Sequence, residues 1–121
     1  MDPTIYAEYL SCLTSMGHVE SDWGPSLKEN LCGNNAAEVL ALFKVFVAAF
    51  LERKRANKAL LNYTSPGNPG YVEPFQTRPE TAEYTRLKDE FECTMQTQIQ
   101  KYYDLAVVID GKEPYPRPDN N

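Results

Sequence analysis

The sequence predicts an all-α fold: an antiparallel hairpin of two long helices, one or two short N-terminal helices, a long proline-rich connector and an extended C-terminal tail. Three observations carry this. Apolar residues recur at spacings of three and four over residues 36–62 and again over residues 84–109, which is the helical period. Capping residues, glycines and prolines stand at the ends of those segments. Between them, residues 64–79 hold four prolines (Pro66, Pro69, Pro74 and Pro79), which suit neither a helix interior nor a sheet ladder.

The first helix starts at Asp2-Pro3, a capping residue followed by proline where its missing N–H is not needed. Ile5, Tyr6, Tyr9, Leu10, Leu13 and Met16 then form an apolar face, and Gly17 is the expected stop. A second, shorter helix is expected from Pro25 to Cys32, ended by Gly33. Asn35 should cap the first long helix, with Glu38 three residues on completing a capping box. On a helical wheel Val39, Leu42, Phe43, Phe46, Phe50 and Leu61 share one broad face, while Ala41, Lys44, Ala48, Glu52, Arg55 and Ala59 gather opposite. That alanine-rich back suits either solvent or the close approach of another helix. A second capping box is expected over Thr77–Glu80. Tyr84, Leu87, Phe91, Met95, Ile99, Tyr102, Leu105 and Ile109 follow at helical spacing, until Gly111 and Pro114 end the run. Ala106 to Ile109 also reads as a short strand, but β-branched residues are common at helix ends and the segment is assigned to the helix. Residues 1–111 are thus one helical domain, and 112–121 an extended proline-rich tail.

If the connector reverses the chain near residue 70, Leu51 should lie near Glu90 and Arg55 near Arg86, to within about one turn. The basic cluster Arg53, Lys54, Arg55 and Lys58 would then face Glu83, Asp89, Glu90 and Glu92. The cluster accordingly has two readings, internal pairing with this acidic stretch or contact with an acidic partner surface.

Composition bounds the function. The chain of 121 residues, 42% hydrophobic and 24% charged, is ordinary for one globular domain. Its net charge of −5 opposes sequence-independent binding to nucleic acid or to anionic membrane. The charge is uneven: −4 over residues 1–35, +3 over 36–62 and −4 over 63–121. The longest apolar run, Val39 to Leu51, is interrupted by Lys44 and is shorter than the roughly 20 residues a bilayer needs. Three cysteines with no Cys-x-x-Cys pair (Cys12, Cys32, Cys93), behind a start at Met1-Asp2-Pro3 that is unlike a signal peptide, point to reduced thiols in the cytoplasm. The acceptor pattern Asn62-Tyr63-Thr64 then carries no weight.

No constellation in the sequence announces chemistry. One histidine, His18, and three scattered cysteines lack the paired short spacing of a zinc site. His18 has no neighbouring nucleophile motif, and acidic neighbours such as Asp89, Glu90 and Glu92 point apart around a helix. Pro66-Gly67-Asn68-Pro69-Gly70 resembles a rigid double turn better than a phosphate loop, because no lysine follows and its prolines remove N–H donors. No cofactor or metal is expected.

The remaining signal is aromatic and prolyl. Eight tyrosines, several of them in the connector, the last helix and the tail, join an apolar ring to a polar tip, which suits protein interfaces. Connector loops of this length in a small domain commonly bind something. Pro114-Tyr115-Pro116-Arg117-Pro118 favours polyproline II, though it lacks the Pro-x-x-Pro frame and also reads as a stiff, solvated tail. The expected partner-binding residues are therefore Tyr71, Val72, Phe75, Tyr115, Pro116 and Arg117, with Arg53 and Arg55 as the basic contribution. The expected role is a non-enzymatic structural or interaction subunit of a larger protein assembly. Two alternatives are a small regulator or inhibitor docking through a helix face, and a small ligand-binding or enzymatic bundle with a pocket between the long helices.

Overall fold

The computed structural model describes residues 1–17, 24–78 and 81–111. Among these the fold is all-α, with four helices and no strand: α1 (Pro3–Ser15), α2 (Gly24–Leu31), α3 (Ala36–Thr64) and α4 (Ala82–Asp110).

Local chemistry sets most of the ends. The Asp2 carboxylate accepts from the backbone N–H groups of Thr4 (2.8 Å) and Ile5 (3.3 Å), and Pro3 takes the first helical position, so the expected start of α1 is met. Gly17 and Gly111 adopt left-handed φ of 78° and 76° just past α1 and α4, the conformation that closes a helix C-terminus at no Cβ penalty. The helical assignment of Ala106–Ile109 stands.

Two caps differ from expectation. Asn35 precedes α3 but its side chain makes no capping hydrogen bond, so no capping box with Glu38 forms. The turn before it supplies backbone instead: the Ala36 N–H reaches the carbonyl of Gly33 at 3.3 Å. The cap of α4 is Thr81, whose hydroxyl accepts from the Tyr84 N–H at 3.1 Å, four residues beyond Thr77. Glu80, the other half of the expected box, lies outside the described residues, as do His18 and Trp23.

The long helices pair antiparallel. Phe46 meets Tyr102, Arg53 meets Gln98, Arg55 meets Glu90 and Tyr63 meets Thr81, so numbers rise on one helix as they fall on the other. Arg55 beside Glu90 is one turn from the expected register. The late cap at Thr81 accounts for the shift, since the chain reverses further along than residue 70.

α1 and α2 cover only the end where α3 begins and α4 finishes. Tyr9 packs on Phe43 with ring centroids 5.9 Å apart, and Lys44 pairs with Glu8 at 2.9 Å. The Asn30 amide donates to its own helix at Ser26 and to the Ile109 carbonyl, tying α2 to the end of α4. The core lies here: Val39, Phe43, Leu27, Leu31 and Leu105 are each exposed by 1% or less. Beyond this four-helix base, residues 51–98 form a two-helix arm with the connector at its tip.

The one-sided packing corrects two helical faces. On α1 the buried strip is Tyr9, Cys12, Leu13 and Met16, while Tyr6 and Leu10 are exposed. On α3 Val39, Phe43 and Phe46 are buried as expected and Leu42 and Phe50 half-buried, but Leu61 is exposed because none of the described residues covers that side of the arm. Leu40, Val47, Ala49 and Ala56 are buried in addition, since α3 is packed from two directions. Among the described residues no helix is long and apolar enough to cross a membrane.

Candidate functional site at the tip of the arm

The connector folds into ordered turns instead of passing between helices as an extended strap. Backbone hydrogen bonds from Asn68 to Ser65, Tyr71 to Asn68 and Gln76 to Glu73 close successive turns at 3.0–3.1 Å. Gly67 takes a φ of 88°, which favours glycine, so the expected double turn is present. Gly70 is held against the end of α3: its N–H donates to the Tyr63 carbonyl at 3.1 Å, and a Cβ there would overlap the Tyr63 ring. The Arg78 guanidinium donates to the Gly70 carbonyl and lies 4.8 Å from the centroid of the Tyr84 ring. A single cation thus links the double turn to the first turn of α4.

These contacts enclose a half-open hollow of about 430 Å³. The end of α3 supplies Tyr63, and the double turn supplies Pro69, Tyr71 and Val72. The returning segment supplies Thr77 and Arg78, with Thr81 and Tyr84 behind them at the start of α4. The walls described are aromatic, prolyl, hydroxyl, amide and guanidinium groups, which stack and hydrogen-bond. Two smaller hollows elsewhere, of about 80 Å³ between Ala49 and Thr94 and about 10 Å³ beside Tyr102, are too small for a ligand of ordinary size.

The expected site residues separate into four groups. Tyr71 (37% exposed) and half-buried Val72 belong to the hollow. Phe75 stands outside it on the connector, 101% exposed, as open as a phenylalanine in an extended chain. Tyr115, Pro116 and Arg117 lie outside the described residues. Arg53 and Arg55 are engaged internally: Arg53 binds Gln98 and lies 5.2 Å from the Phe50 ring centroid, and Arg55 binds Glu52 and Glu90. Those carboxylates hold the Arg55 guanidinium above its ordinary pKa, chiefly through the hydrogen bond that Arg55 donates to Glu52. The two arginines therefore have partners without any external anion, whereas Lys54 and Lys58 are exposed.

Tyr63, Arg78, Thr81 and Tyr84 also line the hollow, though periodicity assigns them only to helix ends or loop. Gly70 was the available signal, because a glycine between proline and tyrosine can mark a close backbone approach. Cys12 is buried, which pushes its thiol pKa up, while Cys32 and Cys93 are exposed. Among the described residues no three His, Cys, Asp or Glu side chains gather as a metal site would require. Neither protein-family models, nor curated protein sequences, nor solved structures give a match to this chain.

Proposed function

We propose that this chain is a non-enzymatic interaction subunit of a larger protein assembly, with the four-helix base as its rigid body and the arm tip as its contact surface. The observation that carries the reading is Phe75. A phenylalanine on a loop with closed turns at Glu73–Gln76, wholly exposed, gains by burial against something other than its own chain. Fully burying such a ring is worth about 1.5–3 kcal/mol, enough to anchor an interface when it enters a pocket on a partner. Tyr71, partly exposed and four residues earlier in the connector, adds an amphipathic ring to the same loop.

The test is affinity purification of the full chain from its native source followed by mass spectrometry, beside the variant Phe75→Ala. The variant should melt at the wild-type temperature and lose the partner. Retention of the same partner by Phe75→Ala contradicts the proposal.

A second reading, docking through the back of α3, is favoured by one observation: Ala41, Val45 and Ala48 are exposed together on that face, with Val45 at 45%. Small residues there admit a partner helix closely. Ala48→Arg should then abolish binding while Phe75→Ala leaves it intact, the reverse of the first pattern.

A further inference from the structure

We propose that the hollow at the arm tip receives the segment Pro114-Tyr115-Pro116-Arg117-Pro118 of a second copy of this chain. The inference rests on the interaction role above and names one occupant for the contact surface.

The hollow has the chemistry for it. Rings of Tyr63, Tyr71 and Tyr84 and the Pro69 pyrrolidine line a half-open space of about 430 Å³. Aromatic-lined grooves take polyproline II segments because ring faces seat between prolines and the ligand arrives already extended, with little conformational entropy left to lose. The chain carries one such segment in its tail. Charge matches as well. The hollow offers the Arg78 guanidinium in its wall, the Glu73 carboxylate outside the lining accepts from the Tyr71 hydroxyl within it, and the tail flanks Tyr115 with Glu113 and Arg117.

Reach excludes the chain's own hollow. Tyr84 and Asp110 stand 26 positions apart on α4, about 39 Å along the helix. Tyr115 is five residues past Asp110, at most about 18 Å of fully extended chain. It falls short of the hollow of its own molecule by about 20 Å, so the segment can enter only another copy's. The contact joins two different surfaces, tail and tip, and is therefore heterologous: successive copies close into a ring or extend as a chain.

Sedimentation velocity of the full chain over a wide concentration range tests this. The wild type should show a mass that rises with concentration and falls back to the monomer when excess free peptide of residues 111–119 is added. Tyr115→Ala, with a broken tail, and Thr77→Trp, with a filled hollow, should each remain monomeric alone. Mixed in equal amounts they should form a one-to-one dimer that grows no further, because only one complementary pair remains. The labelled peptide should bind Tyr115→Ala at least about tenfold more tightly than it binds Thr77→Trp. A wild type that stays monomeric, variants that self-associate as the wild type does, or a scrambled peptide that binds equally well would each overturn the proposal. If self-association is absent while Phe75-dependent partner capture persists, this inference falls and the interaction role stands. Self-association without such capture has the opposite meaning.

Discussion

In the base, α3 and α4 pack against α1 and α2, and five side chains reach 1% exposure or less. In the arm, among the described residues, the same two helices have only each other. Among the described residues of 51–98 only Ala56 and Leu87 are buried, while Phe91 and Met95 remain half-open and Leu51 and Leu61 are exposed. A helix pair without a third layer cannot enclose large side chains, because each helix shields only one side of the other. The arm is instead held by polar bridges, Arg53 to Gln98 and Arg55 to Glu90, and by the fold of its tip. Exposed ion pairs of this kind contribute little to stability. The difference assigns stability to the base and leaves the arm with surface to offer.

Removing the same residue type from each region breaks or sharpens the comparison most. Phe43→Ala, at 0% exposure in the base, should cost about 3–5 kcal/mol in denaturant unfolding, the range for a buried phenylalanine. Phe91→Ala in the arm should cost less, about 1–2 kcal/mol, since part of the ring is exposed already. Equal losses would mean that the arm belongs to the same core.

The two long-helix caps give a smaller contrast. Thr81→Ala removes the hydroxyl that caps α4 at the arm tip and should cost about 1 kcal/mol by the same measurement. Asn35→Ala should leave unfolding unchanged, because that side chain makes no capping bond. The smallest effect is one of reactivity without a change in stability. Cys32 and Cys93 should be alkylated readily at mildly alkaline pH, while Cys12 stays protected until the base unfolds. Burial raises its thiol pKa, so the thiolate is scarce in the folded state as well as enclosed.

Much of the fold was legible in the sequence. Asp2-Pro3, Gly17, Gly33 and Gly111 mark helix ends by backbone chemistry that acts within a few residues. The long periodic runs needed no tertiary information to be read as helices. What periodicity cannot supply is which side of a helix has a neighbour. Leu61 shares a wheel face with Phe43 and is nonetheless exposed, because α1 and α2 stop short of it. Tyr6 and Leu10 failed for the same reason, whereas Cys12 was buried by a packing direction set elsewhere in the chain. At the arm tip Tyr71, Val72 and Phe75 stood out by composition. The hollow depended on Arg78 reaching back to Gly70 and Tyr84, a closure that no local pattern encodes.

The division between a stabilising base and an arm proposed to bind partners is tested most directly by amide hydrogen exchange on the full chain, alone and within its captured assembly. Alone, amides of residues 39–47 and 102–108 should exchange slowest and those of the arm faster. In the assembly, added protection should concentrate on residues 65–81 and the adjoining turns of the arm. Protection gained only over the base, with exchange at 65–81 unchanged, would contradict the account.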